Sequence, residues 1–159
     1  MKINRVTPSK HNYLRILSTI PNAPTELFFR GTLPSDRVPT VAIVGTRRPT
    51  SYGKEVCHTL AHDLAKRGIV VVSGLALGID AIAHRAALEA GGTTIAVLAS
   101  SVDQITPHTN RGIGEAILDH GGAIMSEYDP PNSGRDFQFL ERNRIVSGLS
   151  DAIIIVEAA

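Results

Sequence analysis

The chain has 159 residues, of which 43% are hydrophobic and 19% charged, and this composition indicates one folded domain and excludes a disordered segment. The formal net charge of +1 excludes a uniformly basic protein, so any anion-binding site must concentrate its positive charge locally. The single cysteine, Cys57, excludes an internal disulfide and is typical of a reducing compartment. The polar start of the chain is unlike a signal peptide, and no stretch approaches the roughly 20 apolar residues of a membrane span. We therefore expect a cytoplasmic protein without a membrane partner.

The chain divides into a lead-in, residues 1–38, and a domain, residues 39–159. The lead-in contains several prolines and is predicted to be irregular, with one short helix near residues 13–18. In the domain, five continuous apolar runs predict strands that are buried on both faces. Segments of helical period lie between them. The predicted strands are residues 40–44, 69–72, 94–98, 123–125 and 152–156, and the predicted helices are residues 52–67, 79–90, 110–120 and 139–149.

This alternation predicts a doubly wound, Rossmann-like α/β domain with five parallel strands and helices on both faces, because parallel strands need crossover connections. We predict the strand order 3-2-1-4-5, with a crevice where the first and fourth strands diverge. Ligands of such sheets bind beyond the carboxyl ends of the strands. The residues at these ends are small, hydroxylated and locally basic, which favours an anion. They are Gly45, Thr46, Arg47, Arg48, Ser73, Gly74, Ser100, Ser101, Ser126, Glu127 and Glu157.

The loop after the first predicted strand has the chemistry of a phosphate site. Gly45 allows a sharp turn and a close approach of the backbone to a ligand. Thr46 offers a hydroxyl donor, and the planar guanidinium groups of Arg47 and Arg48 match phosphate oxygens. Pro49 then leads into a helix N-terminus whose free N–H groups favour an anion. The alternative is that both arginines are simply solvated.

The loop after the second predicted strand contains Ser73, Gly74 and Gly78, and its glycines allow a ligand to approach the backbone. It matches neither the dinucleotide-binding fingerprint nor the phosphate-binding loop of nucleoside triphosphatases. Asp80 lies in the first turn of the following helix, where it either complements the helix dipole or takes part in the site.

We assign no functional site to the other reactive side chains. His58 and His62 have a metal-ligand spacing but no third ligand nearby, so we expect histidines at the surface and no metal or cofactor. Cys57 has no base partner and is interpreted as a packed thiol. No nucleophile has a paired base, so no catalytic residue is predicted.

A late segment combines aromatic and basic residues. Phe137 and Phe139 precede Arg142, Asn143 and Arg144. Aromatic rings can stack on bases while arginines hold the backbone of a nucleic acid. We assign Phe139 and the three polar residues to the site and expect one phenylalanine to be a core residue. The two arginines project from different helix faces, so we expect one of them to reach the ligand.

Three long strings, residues 41–53, 73–85 and 139–150, are similar to the DNA-processing protein A family, known as DprA or Smf. Shorter matches at residues 21–31, 96–110 and 155–158 extend the resemblance over nearly the whole chain in the right order. The resemblance implies a Rossmann-like domain that binds single-stranded DNA without sequence preference. It also implies the RecA recombinase as a partner during natural transformation, and a homodimer. Within the family's loop Gly45-Thr46-Arg47, the arginine is expected to grip phosphate.

The chain departs from the family at its end. Family members continue past the fifth strand with further sheet and helix, where they are expected to dimerise, so we expect either a shortened chain or a natural minimal form. The alternative function is that of the related "lonely guy" enzymes, which hydrolyse nucleoside monophosphates; a third is a nucleotide sensor. The enzymes carry a P-G-G-x-G-T loop where this chain reads V-E-A-A, which favours DNA binding without catalysis.

Overall fold

The computed structural model describes residues 2–158, which form one seven-stranded sheet flanked by four α-helices. Strands and helices alternate from the third strand onward, and two short 3-10 helices lie between the first two strands. The strands are β1 (Asn4–Val6), β2 (Leu27–Gly31), β3 (Thr40–Gly45), β4 (Val70–Ser73), β5 (Thr94–Val97), β6 (Ala123–Ser126) and β7 (Ala152–Val156). The helices are α1 (Ser51–Lys66), α2 (Ile79–Glu89), α3 (Arg111–Asp119) and α4 (Asp136–Leu149).

The five predicted strands correspond to β3–β7, and the pairs among them are parallel. Every residue of β4, β5 and β6 is buried, because helices cover both faces of the sheet. This is why the apolar runs in the sequence are continuous rather than alternating. The predicted α/β class with helices on both faces is confirmed, with seven strands rather than five.

The predicted strand order is wrong. The observed order is β1-β2-β6-β5-β4-β3-β7, so β6 pairs with β5, and β7 pairs with β3. Helices α1, α2 and α3 pack on one face, and each crossover steps in the same direction along the sheet. Helix α4 packs on the other face and returns the chain to the far side of β3. The crevice therefore opens between β3 and β7, not between the first and fourth predicted strands.

The prediction of an irregular lead-in is also wrong. β2 pairs antiparallel with β6, and β1 pairs antiparallel with β2. The helix expected near residues 13–18 is present as the 3-10 helix Arg15–Thr19. β2 has only five residues and lies between turns, so its local pattern does not distinguish it from a loop. Its pairing with β6 supplies the hydrogen bonds that make it a strand.

Side chains of the lead-in complete the core on the α4 face. Tyr13, Leu14 and Leu17 are fully buried there against the side chains of α4 and the sheet. The Tyr13 hydroxyl lies 2.9 Å from Thr40 Oγ1, and burial raises the pKa of Tyr13 to about 12. The lead-in therefore anchors the start of β3. This strand leads into residues 45–49, which we call the first loop.

The loop that follows β3 ends in a capped helix. Thr50 Oγ1 accepts a hydrogen bond from the Gly53 amide at 3.1 Å and caps α1. The helix ends at Lys66, and Gly68 follows in the left-handed region at φ +80°. Across residues 2–158, no helix combines the length and the apolar character that crossing a membrane requires.

Candidate phosphate-binding cleft

A cavity of about 410 Å³ lies at the carboxyl ends of the paired strands β3 and β7, and we call it the cleft. This is the point where the strand order reverses, which is the usual ligand position in open α/β sheets. The first loop, the end of β7, the loop before α2 and one side of α4 form its walls. Its lining residues are Val44, Gly45, Thr46, Arg47, Ala76, Asp80, Phe139, Leu140, Arg142, Asn143, Ile155 and Ala158.

The first loop is held between the end of β7 and the start of α1. A side chain at Gly45 would collide with the Val156 carbonyl oxygen, so only glycine allows this approach. The Thr46 amide donates to the Glu157 carbonyl oxygen at 2.9 Å. The Glu157 carboxylate accepts hydrogen bonds from the Thr50 amide, at 2.8 Å, and from the Thr50 hydroxyl.

The position of Glu157 contradicts the prediction that a ligand anion binds at the N-terminus of α1. The N-terminus of α1 was predicted to favour a bound anion, but the chain's own Glu157 carboxylate already occupies it. In the sequence Glu157 is recognisable only as a strand-end residue. Its role as an anchor depends on the pairing of β7 with β3, which no local pattern reports.

Arg47 and Phe139 lie together at the mouth of the cleft. The Arg47 guanidinium carbon is 5.9 Å from the centroid of the Phe139 ring, within range of a cation–π contact. Arg47 is exposed, and Phe139 is half-buried. A positive charge and part of an aromatic ring are thus both accessible from the solvent.

The expectation that one phenylalanine belongs to the core is wrong. Phe137 is 52% exposed and Phe139 is half-buried. The buried position in this turn is taken by Gln138, whose side-chain oxygen accepts from the Arg135 amide at 2.6 Å at the start of α4. The helix therefore turns both aromatic rings outward.

Asp80 and Arg142 hold residues 74–78, which we call the second loop, from the buried side of that loop. Asp80 Oδ2 accepts from the amides of Gly74, at 3.0 Å, and Ala76, at 3.4 Å. Arg142 Nη1 donates to the carbonyl oxygens of Gly74, at 2.7 Å, and Val97, at 2.6 Å. Burial raises the pKa of Asp80 despite the opposing charge of Arg142, and burial lowers the pKa of Arg142. The two buried groups thus fix the backbone of the loop.

The glycines of the second loop are required by close contacts. A side chain at Gly74 would collide with the Arg142 guanidinium, and one at Gly78 with the Thr46 carbonyl oxygen. The Ile79 amide donates to the same Thr46 oxygen at 3.2 Å, so the second loop is joined to the first. Ser73 does not face the cleft: it is fully buried, and its hydroxyl donates to a β3 carbonyl oxygen.

The two arginines of α4 reach different places. Arg142 lines the cleft, whereas Arg144 lines an adjoining cavity of about 330 Å³ that shares Val44 and Asn143 with the cleft. Arg144 Nη2 lies 2.6 Å from Glu127 Oε1, and its Nε donates to a carbonyl of the lead-in. The structure therefore brings together the first loop, Phe139, Arg142 and Asn143, with Arg144 one cavity away.

Two basic residues near the cleft were not predicted from the sequence to belong to a site. Lys54 and Arg85 join Arg47 and Arg48 around a third cavity, of about 640 Å³, between α1 and α2. Lys54 follows the first loop by one helical turn, which is a usable sequence signal. Arg85 has no such signal, because its position depends on how α1 and α2 pack.

His58, His62 and Cys57, which were not assigned to a site, make structural contacts. His58 Nε2 lies 2.6 Å from Glu89 Oε2, and the His58 and His62 rings are stacked. Cys57 is fully buried, as expected for a packed thiol, and burial raises its pKa to about 12. No group of three or more metal-ligating side chains occurs within residues 2–158.

The chain is similar in sequence to bacterial proteins named Smf or DprA. It is 41% identical to Protein Smf of Synechocystis over 157 residues, covering 96% of this chain and 39% of the relative. It is 37% identical to the DNA processing protein DprA of Bacillus subtilis, covering 98% of this chain and 52% of the relative. The chain thus spans between about two fifths and half of the length of these relatives.

Two solved structures share its fold over almost the whole chain. DNA processing protein A of Streptococcus pneumoniae superposes with a TM-score of 0.87 at 35% identity, covering 99% of this chain and 55% of that one. DNA processing protein A of Helicobacter pylori, whose structure is described in terms of its single-stranded DNA binding mode, gives 0.85 at 36% identity, covering 98% and 69%. The model of the DNA recombination-mediator protein A family matches residues 4–159. The chain belongs to the DNA recombination-mediator protein A family.

Proposed function

We propose that the cleft binds the sugar–phosphate backbone of single-stranded DNA without reading its sequence. The observation that carries this proposal is the pairing of Arg47 with Phe139, which presents a charge and an aromatic face at the mouth of one crevice. Single-strand-binding proteins combine these two features, because phosphates need cations and every base has a face that can stack. The likeness to the Helicobacter pylori protein, with its described single-stranded DNA binding mode, supports the same function.

The residues of the site divide into those that contact DNA and those that hold them. Arg47 supplies the phosphate contact, Phe139 stacks on a base, and Asn143 offers an amide to the same cleft. Gly45 and Thr46 line the cleft, and Gly74 and Gly78 hold the second loop in place through close contacts with Arg142 and with the first loop. Arg48 adds charge beside the first loop. Arg142 acts mainly through the loop, because its Nη1 already donates to two carbonyl oxygens.

The proposal is one of binding without catalysis, in the cytoplasm. As the family description names a recombination mediator, the RecA recombinase is proposed as a partner of the DNA-bound form. A homodimer is proposed as its assembly. These two partners belong to the function of the whole protein.

The test is a titration with three ligands at several salt concentrations: a labelled single strand, the matching duplex and adenosine monophosphate. We expect tight binding of any single-stranded sequence, weaker binding of duplex and no release of adenine. With about three or four phosphates held, the log–log salt slope should be roughly −2 to −3. Salt-independent affinity would contradict a backbone grip, and released base would support the hydrolytic alternative.

A further inference from the structure

We infer that the third cavity, lined by Arg47, Arg48, Lys54, Gly78 and Arg85 among others, holds a further stretch of the same DNA strand. We call it the outer groove. It lies between α1 and α2 and is distinct from the cleft, which lies between the first loop and α4. The inference rests on the proposed function, since it extends the path of the bound strand beyond the cleft.

The charge of the outer groove is the first observation. Arg48, Lys54 and Arg85 are exposed, and they take part in none of the ion pairs formed within residues 2–158. Among the described residues 2–158, no acidic side chain lines the groove. In a chain with a formal net charge of +1, this concentration of uncompensated cations is a local feature that matches a polyanion.

The continuity of the two cavities is the second observation. Arg47 lines both the cleft and the outer groove, so the two cavities adjoin at its side chain, and a strand that crosses Arg47 would reach both. Gly78, which packs against the first loop, and Leu77, which is 46% exposed, line the outer groove next to Arg47. A mononucleotide would fill only one of the two cavities, so their joint occupation requires a chain of several nucleotides.

The bend at Arg47 favours a single strand over a duplex. The strand must turn around Arg47 from the α4 side of the first loop to its α1 side. Duplex DNA resists bending over lengths of about 150 base pairs, so it cannot follow a turn of this size without a large deformation energy. A flexible single strand can place successive phosphates against Arg47, Arg48, Lys54 and Arg85.

The test compares two thymidine oligonucleotides, one of about 5 nucleotides, which occupies the cleft, and one of about 15, within the range of site sizes known for single-strand-binding domains. The double variant Lys54→Ala/Arg85→Ala removes two cations from the outer groove. The matched control, Lys66→Ala/Arg67→Ala, removes two exposed cations from the other end of α1. All four side chains are exposed, so the melting temperatures are expected to stay close to that of the unchanged protein.

We expect the longer oligonucleotide to bind more tightly than the shorter one to the unchanged protein. The groove variant should lose roughly tenfold in affinity for the longer oligonucleotide, with a salt slope shallower by about 1.4, since each lost phosphate contact removes about 0.7. Its affinity for the shorter oligonucleotide should not change, and the control should bind both normally.

Three results would overturn the inference while leaving the proposed function intact: no gain in affinity with length, equal weakening of both oligonucleotides in the groove variant, or equal weakening by the control. Tighter binding of duplex, lost selectively in the groove variant, would assign the groove to double-stranded DNA instead. Failure of the unchanged protein to bind even the longer oligonucleotide would refute the proposed function itself.

Discussion

Arg47 and Arg142 lie in the same cleft but differ in what they can still bind. Arg142 is 6% exposed, and its Nη1 donates to the carbonyl oxygens of Gly74 and Val97. Arg47 is exposed, and its guanidinium lies over Phe139. We therefore expect loss of Arg142 to disturb the fold of the loop, and loss of Arg47 to disturb binding alone.

Arg47→Ala should lower the affinity for single-stranded DNA roughly tenfold or more. Hydrogen bonds to charged groups contribute about 1.5–3 kcal/mol. Arg47→Lys should recover only part of the loss, because an ammonium group cannot reproduce the planar guanidinium fork. Fluorescence anisotropy with a labelled oligonucleotide measures the affinity, and thermal melting should show an unchanged fold.

Arg67→Ala is the control for the charge change, because Arg67 lies just beyond α1 at the opposite end of the helix from the first loop. It should leave the affinity close to that of the unchanged protein. Equal weakening by Arg47→Ala and Arg67→Ala would mean that total charge, rather than the first loop, controls binding.

His84 is a buried histidine whose tautomer is set by its neighbours. Its Nδ1 lies 2.7 Å from Thr94 Oγ1, and that hydroxyl donates its hydrogen to the Val71 carbonyl oxygen. Nδ1 must therefore carry the hydrogen, which leaves Nε2 as a buried acceptor without a partner. Protonation of Nε2 would bury an unpaired charge, and burial accordingly lowers the pKa of His84 to about 3.

The lowered pKa predicts how the free energy of unfolding depends on pH. The unfolded state takes up a proton near pH 6.5, whereas the folded state does so only near pH 3. The contribution of neutral His84 to the free energy of unfolding is therefore complete above about pH 6.5. It is lost as the pH falls, by about 1.4 kcal/mol per pH unit. Urea unfolding between pH 7 and pH 4 measures this slope. His84→Gln should make it shallower, and an identical slope in both proteins would contradict this origin.

At the scale of elements, the two loops of the cleft behave as one unit. Gly78 has φ +79° and ψ −124°, a conformation that side chains disfavour, and it contacts the first loop at Thr46. Asp80 and Arg142 hold the same loop from inside. Because α2 starts directly at this contact, a shift of the second loop would move Arg47 as well.

Gly78→Ala should destabilise the protein by about 3 kcal/mol or more and weaken DNA binding, since the added methyl group must displace the Thr46 carbonyl. Gly91→Ala is the matched control: Gly91 has φ +71° but open space around it, so only the backbone cost of about 1 kcal/mol is expected. Chemical unfolding and DNA titration of both variants separate the effects. Equal costs would show that the contact between the loops contributes nothing.

At the scale of the whole molecule, the lead-in is a structural part of the domain. Tyr13, Leu14, Leu17 and Leu27 are fully buried, and β2 covers the edge of β6. Burial of a leucine side chain contributes about 1.5–3 kcal/mol. The burial free energy lost with the three leucines would be comparable to the roughly 5–15 kcal/mol of net stability of an ordinary domain.

Removal of residues 1–38 should therefore abolish cooperative unfolding. Circular dichroism during heating should show a broad, weak transition for residues 39–159 and a single sharp transition for the full chain. A sharp transition with retained DNA binding in the shorter chain would instead make the lead-in a dispensable extension and residues 39–159 an autonomous domain.

The sequence by itself determined the five parallel strands, the four helices and the position of the first loop. Strands such as β4 and β5 are recognisable because burial on both faces makes their apolar runs continuous. The order Gly45-Thr46-Arg47 after a strand predicts a loop that can bind phosphate for the same local reason. Periodicity and loop chemistry are properties of neighbouring residues, so they can be read without the fold.

Only the tertiary structure decided the strand order, the pairing of β2, the inward clamp of Arg142 and the meeting of Lys54 with Arg85. Apolar periodicity reports that a residue is buried but not which element buries it, so β6 could be assigned to the wrong neighbour. Arg142 and Arg144 look alike in sequence, yet contacts with residues distant in the chain bury one and pair the other with Glu127. Such contacts depend on how distant segments pack together, and for this reason they escape a local pattern.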